Sequence, residues 1–228
     1  MCARFTLRTP TTILAKLFEI AWEGDFVPRS DIRPSQSIHI VRCQDSRREL
    51  ASVRWQFLPL WAKSPNIENP PINAKAETVA TNGMFKLVFR RRRCLVPVDA
   101  WYEWKAINKK DKERYLFRVP QQPCFAFAGI WDRWESKGDE VPKVAIESCA
   151  IVTTEANDLV AAIHDKRRMP VILRPKEYGL WLDHTIDDPS SLLPLLRPFP
   201  NEEMEAIPVP RMLGNDWFDA RCWPHLTT

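Results

Sequence analysis

Three observations predict an α+β fold built on a curved, mainly antiparallel sheet or partial barrel with short flanking helices. Strand-length runs of apolar and aromatic residues follow one another with only brief turns between them: Cys94–Val98, Trp101–Lys105, Tyr115–Val119, Phe125–Trp131 and Val144–Thr153. Helical periodicity is confined to short segments at the flanks of these runs. The 228 residues, 45% hydrophobic and 27% charged, carry no internal repeat, low-complexity stretch or composition break, so residues 1–228 are expected to form a single domain with a full core.

In chain order, Arg4–Leu7 reads as a short strand. Thr9-Pro10 then introduces a helix whose apolar residues Ile13, Leu14, Leu17, Phe18 and Ala21 share one face. Residues 26–36 read as a proline-bounded loop, and Ile38, Ile40, then Val53, Trp55 and Phe57, alternate as two half-buried strands. A stiff connection with Pro59, Pro65, Pro70 and Pro71 follows, and residues 76–89 have helical composition interrupted at Asn82-Gly83. After the strand series, Thr154 is expected to cap a helix over Glu155–Ile163. Met169–Leu173 reads as a core strand, Pro175–Leu182 and Pro189–Leu196 as short helices, and Glu205–Val209 as an edge strand ahead of a tail.

Composition removes several functional classes. The nearest two glycines, Gly129 and Gly138, are nine apart, so no P-loop or dinucleotide fingerprint can be written and no nucleotide cofactor is expected. The four histidines are dispersed, which predicts no metal site and no cofactor. No apolar run approaches the roughly 20 residues of a membrane span. Six cysteines without a signal segment or a CxxC pair read as reduced thiols of an intracellular, cytoplasmic protein, nucleoid-associated if bacterial. The net charge of +4 is concentrated in Arg90–Arg93 and Lys166–Arg168, clusters that suit a phosphate backbone or a solvated face.

Four places could carry chemistry. Removal of Met1 would leave Cys2 as a 1,2-aminothiol, the one arrangement that condenses with an aldehyde to an imine and then closes a thiazolidine; reference pKa values of about 7.7–8.0 and 8.5 leave both groups partly deprotonated near neutrality. Strand periodicity places Trp101, Glu103 and Lys105 on one face, so Glu103 is either a desolvated proton shuttle or simply the ion-pair partner of Lys105. His164 stands where a helix should end, as a cap on the dipole or as an acid–base group. Trp61 either packs in the core or stacks on an unpaired base.

Taken together, the pieces resemble the SOS-response-associated peptidase (SRAP) family, abasic-site processing proteins that crosslink to single-stranded DNA. The resemblance is carried by Met1-Cys2-x-Arg4-Phe5, Pro34-Ser35-Gln36, Ile72 to Thr78 (INAKAET), Met84-Phe85-Lys86, Cys94 to Asp99 (CLVPVD), Trp101 to Lys105 (WYEWK), Phe125 to Gly129 (FAFAG), and Ile163-His164-Asp165 with Arg168 to Leu173 (RMPVIL). These blocks keep the family's order from residue 1 to about 210, leaving 211–228 as a tail.

The resemblance implies that Cys2 attacks the open-chain aldehyde of an abasic deoxyribose, that Glu103 moves protons during imine formation, that His164 assists sugar ring opening and that Asn73 positions the adduct. It further implies that Arg4, Lys75 and one of Arg167 or Arg168 hold phosphates, and that Pro34, Trp61 and Met84 line the strand's path. The expected partner is single-stranded DNA containing abasic sites, bound by a monomer with lyase-type crosslinking activity and peptidase activity limited to self-processing. A Cys-His thiol peptidase and a non-catalytic single-stranded DNA binder are the alternatives. The family pattern is departed from at Ala3, Lys75, Gln56 and the Ser30 to Pro34 loop. Lys75 cannot repeat arginine's bidentate grip on phosphate, and Asp31 is expected to repel a phosphate lying near it.

Overall fold

The computed structural model describes residues 2–21, 24, 26–137 and 143–209. Its elements, in chain order, are β1 (Phe5–Leu7), α1 (Thr11–Phe18), β2 (Arg29–Ile32), β3 (Ser37–Gln44), β4 (Arg47–Trp55), β5 (Asn73–Lys75), α2 (Lys86–Arg91), β6 (Arg93–Val98), β7 (Ala100–Ala106), β8 (Lys112–Arg118), β9 (Phe125–Glu135), β10 (Ala145–Glu155), α3 (Asp158–Ala161), β11 (Arg168–Pro170), β12 (Ile172–Leu173), α4 (Tyr178–Leu182), α5 (Pro189–Leu192) and β13 (Glu205–Val209).

Two sheets result, and the curvature expected from the strand series is carried to closure in one of them. In the larger sheet β10, β4, β3, β6 and β9 follow one another, and β9 pairs back onto β10 from Ala145↔Glu135 to Ile151↔Gly129, which completes a five-strand barrel. Closure leaves no open edge in that circuit. Gly129 stands where β6 and β9 come closest: a Cβ there would lie 2.8 Å from Cys94 Sγ and 3.1 Å from Val96 Cγ2, so glycine is required by close approach. The smaller sheet runs β13-β8-β7-β1-β2 and is antiparallel throughout.

Aromatic packing joins the two. Phe5 of β1 lies 5.1 Å from the Trp55 ring and 6.3 Å from Phe127, while Trp101 of β7 stacks on Phe117 at 5.1 Å and meets Phe127 edge-on at 5.7 Å. Such pairs add to the burial of the rings themselves. Phe5 therefore fixes the start of the chain against the barrel, and Asp99 fixes the far end of β1. Its buried carboxyl, pushed up to about 7 by burial, accepts from the Arg8 and Thr9 backbone and from Thr9 Oγ1.

Several boundaries differ from expectation for identifiable reasons. Residues 29–32 pair with β1 as a strand rather than a loop. The helix expected from residue 76 is confined to α2, because Ala76 N–H is taken by the Thr153 carbonyl at 2.8 Å and the Asn82 side chain accepts from Met84 N–H at 2.8 Å. The helix expected over 155–163 shrinks to α3: Glu155 still pairs with Arg168 in β10, and Asn157 rather than Thr154 caps by accepting from Val160 N–H at 2.9 Å. The expected tail, residues 211–228, lies outside the described residues. Among those described, no helix is long and apolar enough to cross a membrane.

Candidate active site

The Phe5↔Trp101 and Thr6↔Ala100 register of β1 on β7, continued by the hydrogen bond from Tyr102 N–H to the Arg4 carbonyl at 2.9 Å, runs Cys2 and Ala3 alongside Glu103 and Trp104. Cys2 is fully buried. Burial, and after it the negative charge of Glu103, drives its thiol well above the usual range and keeps it protonated.

Glu103 is 2% exposed, and burial pushes its carboxyl up to about 7. Lys105 sits at the exposed end of β7, and the partner of Glu103 is instead His164, with Nε2 and Oε2 3.4 Å apart. The turn after α3 delivers that ring: His164 N–H bonds the Val160 carbonyl at 2.8 Å, and Nδ1 lies 3.1 Å from the Arg168 carbonyl. A carbonyl only accepts, so Nδ1 carries the proton of the neutral ring and Nε2 is the acceptor facing the carboxyl. Burial lowers the imidazole's pKa, which favours that neutral form. The pair thus sets a carboxyl raised by burial to about 7 against an imidazole that burial lowers, with one proton to place between them.

Asn73 enters from the barrel. Along one edge of β10 the partner changes from β4, at Ser148 and Cys149, to β5, where Asn73 pairs with Ile151 and Lys75 with Thr153. Neither polar atom of the Asn73 side chain has a protein hydrogen-bond partner although both are buried, and the same holds for Glu103 Oε1 and Trp101 Nε1. Buried polar groups left open in this way are costly unless something else satisfies them.

The expected DNA contacts fall into two groups. Lys75 and Arg167 are exposed, Pro34 and Met84 half-buried, and Trp61 is 59% exposed. Trp61 is turned outward because the proline-rich connection packs through its neighbours Leu58 and Ala62 against Trp134, whose Nε1 donates to the Ala62 carbonyl at 2.8 Å. Arg4 and Arg168, by contrast, already grip carboxylates. Arg4 donates Nε and one terminal nitrogen to the two oxygens of Asp31, each at 2.7 Å, and Arg168 donates to both oxygens of Glu77 at 2.5 and 2.9 Å and to the Thr153 carbonyl at 2.6 Å. Sequence reading missed both clamps, since nothing in the spacing of residues 4 and 31 or 77 and 168 marks them.

The arginine run divides as well. Arg93 is buried and donates to the carbonyls of Trp181, Phe89, Arg90, Asp183 and Ile186. Arg92 pairs with Asp132, which leaves Arg90 and Arg91 as the exposed members.

Fold and site together define a barrel-and-sheet protein that brings the beginning of its own chain against a buried carboxylate–imidazole pair. The profile of the SOS response associated peptidase (SRAP) family matches residues 1–216, and the chain belongs to that family. It is 34% identical over 218 residues to abasic site processing protein YoqW of Bacillus subtilis, covering 94% of this chain and 95% of that one. To abasic site processing protein YedK of Escherichia coli it is 30% identical over 222 residues, covering 94% and 95%. A crystal structure of a protein from Bacteroides thetaiotaomicron superposes with a TM-score of 0.83 at 25% identity, covering 92% of each chain. That of a phage-related protein from Bordetella bronchiseptica superposes at 0.71 with 26% identity, covering 94% and 97%.

Proposed function

We propose that this protein processes abasic sites in DNA by joining its own N-terminal cysteine to them, on single strands, inside the cell and as a monomer. The observation that carries the reading is the Glu103–His164 pair set beside Cys2 at the start of the chain; the names of the relatives point to the same substrate.

With Met1 removed, the Cys2 amine attacks C1′ of the ring-opened deoxyribose and gives a carbinolamine. Loss of the hydroxyl as water yields the imine, and addition of the thiol across the C=N bond closes the thiazolidine. One water leaves per adduct. The amine must lose a proton to attack and the hydroxyl must gain one to depart. Glu103, with a pKa of about 7, is suited to take the first and return the second. His164, neutral with its unprotonated Nε2 directed into the site, is suited to take the proton of the C1′ hydroxyl as the sugar opens, the ring oxygen gaining its proton from protonated Glu103 or water. Asn73 offers one donor and one acceptor to the adduct's hydroxyls. A thiol that burial keeps protonated lacks the standing thiolate a general thiol peptidase requires, while in ring closure the imine nitrogen can take the thiol proton as sulfur adds. Peptidase activity is accordingly assigned only to removal of Met1. Lys75 and one of Arg167 or Arg168 would hold phosphates, with Pro34, Trp61 and Met84 along the strand, and Arg4 at its near end.

Intact-mass analysis before and after incubation with a single-stranded abasic oligonucleotide tests this. The expected protein lacks Met1 and gains the oligonucleotide mass less one water, whereas Cys2→Ala gains nothing. An equally stable adduct on Cys2→Ala would overturn the assignment of the nucleophile.

A further inference from the structure

Arg4 stands two residues from Cys2, so any phosphate it holds belongs to a nucleotide beside the reacting sugar. Its guanidinium is committed elsewhere. Nε and one terminal nitrogen, the fork that would take a phosphodiester, meet the two oxygens of Asp31 at 2.7 Å each, with the guanidinium 5.4 Å from the Trp104 ring centre. Asp31 also accepts from Arg33 Nε at 2.8 Å and terminal nitrogen at 2.5 Å. A carboxylate and a phosphate present the same pair of acceptor oxygens to arginine and compete for the same donors. Asp31 is carried on β2, the edge strand of the smaller sheet, three residues before Pro34. Its own carboxyl is held below the usual range by hydrogen bonds from Arg4 and Arg33 acting against burial, so it is an anion throughout the neutral range.

We infer that Asp31 is an affinity-setting residue: its carboxylate occupies the phosphate seat of Arg4, and a DNA strand gains that contact only by displacing it. The charge balance favours competition over mere orientation. Arg4, Arg33 and Asp31 sum to a single positive charge, and without Asp31 two guanidinium groups face the strand. Weak holding of intact strands follows, and retention then depends on the covalent bond at a lesion. The inference rests on the DNA-crosslinking reading above and adds to it which residue limits non-covalent binding.

The test uses the full chain and an undamaged single-stranded oligonucleotide of mixed sequence, with affinity read by fluorescence anisotropy between 50 and 200 mM salt. Asp31→Asn, which keeps shape and removes charge, is expected to bind more tightly and with a log–log salt slope steeper by about 0.7 for the recovered phosphate contact, so its loss of affinity across that range exceeds the wild type's by about 2.6-fold. Asp31→Glu, which keeps the charge, is expected to stay near the wild-type slope. Weaker or unchanged binding by a folded Asp31→Asn protein, checked by its melting transition, would overturn the inference and make Asp31 a support for Arg4. A steeper slope in Asp31→Glu would overturn it too. Adduct formation by the wild type on abasic DNA, run alongside, reports separately on the crosslinking reading: that reading fails if no adduct forms, and the inference fails if adduct forms while Asp31→Asn leaves binding unimproved.

Discussion

Replacing Glu103 by glutamine should make the protein more stable while impairing it. Burial raises this carboxyl from its usual 4.5 to about 7. The folded state therefore binds the proton more tightly than the unfolded chain does. Between those two pH values the native protein holds a proton the unfolded chain has lost, and stability falls as pH rises through the window. The separation, at 1.36 kcal/mol per pH unit, corresponds to about 3 kcal/mol lost by pH 8 and none lost below pH 4.5. Glutamine copies the protonated carboxyl: its amide can donate to His164 Nε2, and it never ionises. Glu103→Gln is thus expected to exceed the wild type by about 3 kcal/mol at pH 8, roughly 6–12 °C in melting temperature, with the gap closing as pH approaches 4.5. Calorimetry of both proteins across that range reads the difference, in which the similarly raised Asp99 cancels. A gap that is absent at pH 8, or that does not shrink toward acid, would refute the argument that Glu103 is kept at a cost to stability.

The same substitution should slow adduct formation by roughly 10²–10⁴-fold, even on a substrate presented as an open aldehyde. His164→Ala should slow reaction with the cyclic abasic sugar but react almost normally with the open aldehyde; equal defects on both in a quenched time course would remove its ring-opening role. Lys75→Glu should weaken binding to undamaged single strands and flatten the salt slope by about 0.7 or more, and an unchanged slope would take the exposed Lys75 out of the strand's path. Gly129→Ala, which would place a methyl 2.8 Å from Cys94 Sγ, should cost about 1–3 kcal/mol in chemical unfolding. A neutral result would show that β6 and β9 separate freely at that point.

The strand series from Cys94 onward was legible because β6, β7, β9 and β10 bury long apolar runs. The elements that shape the site were not. β5 is three residues long and β2 is four, too short for any periodicity, and both exist because a partner strand takes up their backbone groups. Periodicity did put Glu103 and Lys105 on one face, but it could not show that the strand leaves the core between them or that His164 reaches Glu103 from a distant turn. Position and residue type mark Cys2, Glu103 and His164, whereas Asn73 becomes a candidate only through the family resemblance. Charge counting misjudged the arginine run, because a guanidinium that finds five carbonyls, as Arg93 does, is an internal strut despite its charge.

The change of partner along β10, from β4 to β5, also bears on when the site comes into being. Asn73 is seated by a parallel pairing, Glu103 by the β1–β7 ladder, and His164 by a turn that hangs on β11. The first two of these pairings join residues far apart in the chain, and non-local pairings are the slow ones to form. A chain still folding, or one emerging from synthesis before residue 164, has its cysteine without the acid–base pair beside it. On the crosslinking reading proposed above, the aminothiol of such a chain would meet aldehydes with only its intrinsic reactivity, and the accelerated chemistry would be reserved for molecules that have finished folding.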